Sequence, residues 1–226
     1  MNKRLLLLGL GVIIICLILN LKYLDMKLLN TYSQFGQDID VLEYLNYKEN
    51  GYFIEVGAYD GIELSNTYLL EKKYNWEGLC IEPQEYFYQK LKDNRNCYND
   101  NSLIYSVAGK ILDFSDSGDG LAGITDNIVK YEHVKNSKQV KKKTDTLNNL
   151  LIKYNSPNKI DYLSIDTEGS ELEVLKGINF DNYEFSIITI EHNNIESQRK
   201  EIRNFLESKG YKFYKEKNVD DYYIKS

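Results

Sequence analysis

At 226 residues, with 42% hydrophobic and 27% charged side chains, the chain has the length and composition of one globular domain plus a short appendage, which excludes two full domains and global disorder. The net charge of −6 hides a more acidic body: residues 31–226 hold 24 basic against 33 acidic side chains, which argues against nucleic acid as a partner. Cys16, Cys80 and Cys97 offer neither a disulfide framework nor metal-ligand spacing.

Met1-Asn2-Lys3-Arg4 precedes an unbroken apolar run from Leu5 to Leu19, extended by Leu21 and followed by Lys22. Seventeen helical residues span about 26 Å, enough for a bilayer core if Lys22 snorkels. No small-x-small cleavage site follows. The segment therefore predicts an uncleaved, single-pass transmembrane signal-anchor over residues 1–22, a linker over 23–31 and a domain over 32–226, giving membrane localisation with the membrane as a partner. Lys3 and Arg4 lean the N-terminus toward the cytosol.

In the body, Ile39, Val41, Leu42 and Leu45 predict a helix within 37–47. Tyr52–Val56 reads as a buried strand broken by Gly57 and Gly61, and Ser65-Asn66 can cap a helix running to Lys73. Gly78–Ile81 is a second strand ended by Glu82-Pro83, followed by a helix over 84–92 and a strand over 102–107. Residues 113–125, with Gly118, Gly120 and Gly123, read as a loop that could close over substrate. The five lysines between Lys135 and Lys143 read as a solvated face. Strands at 160–165 and 186–190 flank a helix near 171–175, and a helix over 197–208 precedes closing strands near 211–214 and 222–224. This alternation predicts a three-layer α/β, Rossmann-like domain with a mostly parallel sheet and helices on both faces.

Ligands in such sheets sit beyond the carboxyl ends of the strands. Here those ends carry Glu55-Val56-Gly57, Glu82-Pro83, Val107, Asp166-Thr167-Glu168 and Glu191-His192-Asn193. The first turn has Glu-x-Gly-x-x-x-Gly spacing rather than Gly-x-Gly-x-x-Gly, which disfavours a nicotinamide oxidoreductase. Glu55 and Asp60 flank that turn and suit a cationic ligand. Gly57 allows close backbone approach, and Glu82 can accept hydrogen bonds from ribose hydroxyls. An adenosine with a cationic amino-acid tail meets both demands.

These residues resemble the FkbM-type methyltransferases. The resemblance rests on Ser33–Asp38, Phe53–Gly61, Leu64–Thr67, Gly78–Pro83 and Ile160–Glu171 running into Leu175-Lys176-Gly177, and it covers about residues 31–192. It implies a class I methyltransferase fold with a seven-stranded sheet, S-adenosylmethionine as cofactor, and a hydroxyl of a glycan or small natural product as acceptor. By that analogy Glu55, Gly57, Asp60 and Glu82 are cofactor positions and Asp166 with Glu168 lies beside the methyl donor; Gly61, Asn66, Pro83, Val107 and Asp166 complete the expected cofactor-binding set. Ser164 departs from the basic residue often found there in the family.

An acceptor hydroxyl benefits from a base. His192, at a strand end, is the candidate, with Asp166 as the second catalytic residue, while His133 reads as surface. Glu168, Glu191 and Asn193 are expected at the substrate. Asp166, Glu168 and Glu191 could instead hold a divalent metal, the less favoured reading because acids at strand ends also serve cofactor binding and helix capping. The alternative from another class is a membrane-tethered, non-catalytic methyltransferase-like module that binds a partner protein.

Overall fold

The computed structural model describes residues 31–128 and 132–226. Its sheet is organised around β1 (Tyr52–Val56), whose aromatic and β-branched run is buried on both faces, as a central parallel strand requires. After helix α1 (Gln37–Tyr44), the chain runs through β1, α2 (Tyr68–Tyr74), β2 (Glu77–Ile81), α3 (Glu85–Asn94), β3 (Tyr98–Asp100), β4 (Leu103–Ile104), β5 (Ile111–Asp116) and β6 (Gly123–Ile124). It continues with α4 (Glu132–Lys135), β7 (Lys138–Asp145), α5 (Leu147–Lys153), β8 (Lys159–Ile165), α6 (Glu171–Lys176), β9 (Glu184–Glu191), α7 (Glu196–Ser208), β10 (Tyr211–Lys217) and β11 (Asp220–Lys225).

The main sheet has seven strands in the order β3-β2-β1-β8-β9-β11-β10. Only β11 opposes the rest, pairing antiparallel with both β9 and β10. This is the Rossmann-like, class I methyltransferase arrangement. The chain travels outward from β1 to β2 and β3, then returns to β8 on the other side of β1, so strand order reverses between β1 and β8. That reversal opens a crevice at their carboxyl ends.

The two faces of the sheet differ. On one, Ile54, Leu79, Leu163, Ile188 and Tyr223 stand side by side by register and are packed with Leu150 and Leu151 of α5, Val174 and Leu175 of α6, and Ile202 and Leu206 of α7. On the other, the same registers align Cys80, Glu55, Ser164, Thr189 and Tyr222, a buried polar row. Burial of such groups is tolerated only with hydrogen-bond partners. Ser164 Oγ accepts from Asn66 Nδ2 at 2.9 Å, and Thr189 Oγ1 lies 2.7 Å from the Tyr162 hydroxyl.

The segment between β3 and β8 differs from the sequence expectation. The strand expected over 102–107 shrinks to Leu103–Ile104, and the unforeseen β3 supplies the edge of the main sheet. The glycine loop and lysine run belong to a second sheet, ordered β4-β7-β5-β6, packed on Leu103, Phe114 and Ile124. In β7 the lysines mask a two-residue alternation: Lys141 and Lys143 point to solvent while Lys142 and Thr144 turn inward.

The expected membrane anchor is corrected. Among the described residues no helix is long and apolar enough to cross a membrane, α7 having 13 residues where a span takes about 20. The apolar run behind that expectation, residues 5–21, lies outside the described residues. Membrane partnership and membrane localisation therefore fall away as conclusions.

Gly57, just past the end of β1, packs against the backbone of Asp166, just past the end of β8. Its φ is +90°, and a Cβ there would lie 1.8 Å from the Asp166 carbonyl oxygen. Gly57→Ala is expected to destabilise the domain by more than the about 3 kcal/mol that bounds most substitutions, measured by urea unfolding; a loss below ~1 kcal/mol would refute this account of the junction.

Candidate active site

The cleft begins with the turn after β1. Gly57 and Ala58 donate their N–H groups to the Ile81 carbonyl at 2.9 and 3.0 Å, extending the β1–β2 contact past the strand ends. The Asp60 carboxylate accepts from the backbone N–H groups of Ile62 and Glu63 at 2.9 and 2.8 Å, a local turn that reverses the chain. Beneath the turn the Glu55 carboxylate accepts from Asn66 N, Thr67 Oγ1 and Ser65 Oγ at 2.6, 2.6 and 3.0 Å. Arg95 completes the arrangement. Its fully enclosed guanidinium pairs with Glu55 at 3.3 Å and Glu71 at 2.6 Å, donates to the Gly61 carbonyl at 3.2 Å, and lies over the rings of Phe53 and Tyr68.

Glu55 thus lines the cleft floor with its oxygens committed to the turn, while Asp60 and Gly61 shape the turn from behind. A Cβ on Gly61 would meet Leu91 Cδ1 at 2.6 Å and Arg95 Cγ at 2.8 Å. Sequence reasoning missed Arg95. It follows the last residue of α3 in extended backbone, so no helical periodicity marks it.

The cleft encloses about 840 Å³, its open mouth included, and is lined by Gly57, Asn66, Glu82, Pro83, Gln84 and Asp166 among others. Leu103, Ile104, Phe114 and Ile124 form an apolar wall contributed by the second sheet. Opposite stands Glu82, accepting from Tyr59 N at 2.9 Å and Gln84 N at 2.7 Å; burial pushes its carboxyl up to about 7. Two further acceptors, Asn66 Oδ1 and Gln84 Oε1, are buried with no hydrogen-bond partner. A cleft lined with unpaired acceptors calls for a ligand rich in N–H and O–H donors. An adenosine bearing an ammonium fits that demand.

Acidic groups gather on the β8–β9 side. Ligand oxygens of Asp166, Glu168 and Glu191 lie within 4.8 Å of one another. The Asn193 side-chain amide donates to Glu168 at 3.2 Å and also to Glu191. Asp220 stands opposite Glu191 in the sheet register and accepts from Gln37 Nε2 at 2.7 Å. Burial pushes Asp220 up to about 7 and Asp166 up to about 6. Glu191, buried and facing Asp166, Glu168 and Glu171, is pushed higher still and is hydrogen-bonded to Asp166. Burial and mutual repulsion thus oppose ionisation of both carboxyls together. The spacing of the three acids would admit a divalent cation, and the Asn193 amide already bonds two of them.

Two expected residues stand elsewhere. Alternation along β9 places Glu191 beside Asp166 and Glu168, though outside the cleft lining as Asn193 also is, and turns His192 to the opposite side of the strand. The His192 ring is 2% exposed and accepts at Nδ1 from Asn194 N at 3.1 Å. Its Nε2 is 3.8 Å from Asp221, whose carboxylate is held by Arg199 and Arg203. Val107 is 48% exposed and outside the cleft lining, because the chain turns away after Ile104.

The family model described as Methyltransferase FkbM domain matches residues 55–213. Among solved structures, a methyltransferase FkbM from Methylobacillus flagellatus is 14% identical with a TM-score of 0.46, covering 77% of this chain and 43% of that one. A TehB-like SAM-dependent methyltransferase from Corynebacterium glutamicum is 10% identical, TM-score 0.46, covering 86% and 89%. A putative RNA methyltransferase from Pyrococcus horikoshii is 12% identical, TM-score 0.45, covering 89% and 96%. The chain thus spans less than half the length of the Methylobacillus protein. No curated protein matches it.

Removing one partner from a buried ion pair leaves an uncompensated charge and costs about 3–5 kcal/mol. Arg95→Met is expected to lose that much in urea unfolding, whereas Lys141→Met, which breaks the exposed 2.8 Å pair with Asp113, is expected to stay within about 1 kcal/mol. Equal losses would refute the role given to Arg95.

Proposed function

The chain belongs to the FkbM methyltransferase family, and we propose that it transfers a methyl group from S-adenosylmethionine to a hydroxyl oxygen of a glycan or small natural product. The observation that carries this reading is the meeting, at one switch-point cleft, of the buried acceptors Glu82, Asn66 and Gln84 with the acid cluster of Asp166, Glu168 and Glu191. S-adenosylmethionine supplies, when bound, an electrophilic methyl group on a positively charged sulfur.

The chain's own residues divide the remaining work. Gly57 permits close approach of the ligand to the β1 turn, Glu82 accepts from ribose hydroxyls, and Asn66 Oδ1 accepts from the ammonium of the amino-acid tail. Pro83 and the Leu103–Ile124 wall flank the base. Glu168 and Asn193 hold the acceptor's hydroxyls by hydrogen bonds, so that its oxygen is oriented for in-line attack. Asp166 takes the acceptor proton. Protonated Glu191 keeps Asp166 in place through the hydrogen bond between them. The buried His192, bonded away from the cleft, is left with a structural role against Asp221.

The direct test is transfer of an isotopically labelled methyl group to a panel of hydroxylated acceptors, preceded by calorimetric titration with S-adenosylhomocysteine. Binding together with label on oxygen supports the reading; a folded chain that binds neither S-adenosylmethionine nor S-adenosylhomocysteine would sink it.

The base must be ionised to act, and Asp166 titrates at about 6. Turnover is therefore expected to be flat above about pH 7 and to fall as pH drops through about 6. Asp166→Asn should lower turnover by about 10²-fold or more. Glu191→Gln, which mimics the protonated partner, should cost less than about tenfold. The reverse ranking would assign the base to Glu191.

A further inference from the structure

We infer that Gln84 is a specificity-determining residue for the nucleoside part of the cofactor, its unpaired Oε1 accepting a hydrogen bond from a donor on the adenosine. This deepens the methyl-transfer reading and rests on it. Gln84 follows Glu82-Pro83 at the end of β2 and opens α3 as its N-cap, yet its side chain makes no capping bond. The residue is 3% exposed and lines the cleft. Its amide is oriented from two sides: the backbone N–H donates to Glu82 Oε1 at 2.7 Å, and Nε2 donates to the Asp119 carbonyl at 2.9 Å. With Nε2 held by Asp119, Oε1 is the end of the amide left without a partner.

The surroundings define what can satisfy it. The groups bonded to Gln84, the Glu82 carboxylate and the Asp119 carbonyl, are acceptors, and Leu103, Ile104, Phe114 and Ile124 of the same cleft are apolar. The donor must therefore arrive with the ligand. Adenosine carries two kinds, the ring amine and the ribose hydroxyls. Gln84 lies on the Glu82 wall, whereas the other unpaired acceptor, Asn66 Oδ1, belongs to the turn after β1, so the two acceptors address different ends of the cofactor. A site built around a buried acceptor rejects analogues that lack the matching donor, because the acceptor then stays unpaired.

The bond to Asp119 gives the contact a second consequence. Asp119 belongs to the turn between β5 and β6, and Gly120, Ala122 and Gly123 from the same stretch line the cleft. One amide therefore links the nucleoside wall to the segment that covers it.

The test is calorimetric and needs no turnover. Wild-type chain, Gln84→Leu and Gln84→Glu are titrated with S-adenosylhomocysteine, with S-inosylhomocysteine, in which a carbonyl replaces the ring amine, and with the 2′- and 3′-deoxy analogues. Circular dichroism and thermal unfolding establish that each variant is folded. In the wild type, at least one analogue is expected to bind about tenfold or more weaker than the parent, a loss of about 1.4 kcal/mol. In Gln84→Leu that penalty should shrink to about twofold, the scatter of independent effects, and the analogue affected identifies the donor. Gln84→Glu keeps an acceptor but loses the bond to Asp119, so it should retain discrimination while amides of residues 118–123 exchange hydrogen faster in the complex. Wild-type binding with every penalty unchanged in Gln84→Leu overturns the assignment alone. No wild-type binding of S-adenosylhomocysteine overturns the methyl-transfer reading and this assignment with it.

Discussion

The cleft depends on one buried charge pair. Glu55 stands one residue before the end of the central strand and Arg95 follows the end of α3, and their contact at 3.3 Å is the centre of a network that ties down the turn after β1. Ser65, Thr67 and the Asn66 N–H satisfy the carboxylate; Glu71, Thr67 and the Gly61 carbonyl satisfy the guanidinium. A buried ion pair contributes little net stability against an apolar substitute, but it specifies one geometry, because every alternative leaves a charge unpaired in low dielectric. What it specifies here is the path of residues 57–66. That path leaves Gly57 against Asp166 and brings Tyr59 N to Glu82. Cleft-lining groups are thus positioned by a network whose Arg95 and Glu71 stand outside the lining.

This separation explains which parts of the site were legible in the sequence. Glu82, Pro83, Gly57 and Asp166 could be read because each sits at or just past the end of an apolar strand, and in a doubly wound sheet that position alone points at the crevice. Glu55, Asp60 and Gly61 occupy the same motif, but their partners are Arg95, backbone amides and Leu91, and a motif does not distinguish a residue that touches a ligand from one that shapes the turn around it. Arg95 was invisible because its partners lie 24 and 40 residues away. His192 shows the limit of reading strand ends: the end was located correctly, but one residue of alternation decides which side of the sheet a side chain serves.

The fold was legible to a similar depth. Strands buried on both faces announce themselves by composition, so β1, β2, β8 and β9 were found nearly to the residue. Tyr98-Asn99-Asp100 contains no apolar run and becomes a strand because β2 offers it an unpaired edge. The second sheet was hidden for a different reason. In β7 one face is wet and lysine-rich, and that face reads in the sequence as a solvated charge run. Tertiary pairing, not local preference, decided both cases.

The electrostatics of the cleft follow from placing acids where an acidic chain can least easily ionise them. Glu82, Asp166 and Asp220 all hold their protons above the usual carboxylate range because burial opposes their charge. In the ligand-free chain such groups bind protons more tightly than the unfolded chain does, so their contribution is present below about pH 4 and is lost as pH rises through 6 to 7. Paired acids such as Asp40 and Asp221, held below the usual range by lysines and a tyrosine or by Arg199, act in the opposite sense and lose their contribution in acid. The two sets are segregated: the acids paired with cations fasten the α1 and α7 sides of the sheet, whereas Glu82 and Asp166, without a cationic partner, line the cleft. A ligand that brings hydrogen-bond donors to Glu82 makes its ionised form less unfavourable, so binding relieves a cost built into the empty fold. The same arrangement leaves Asp166 ionised at neutral pH beside a protonated Glu191, the state a proton acceptor requires.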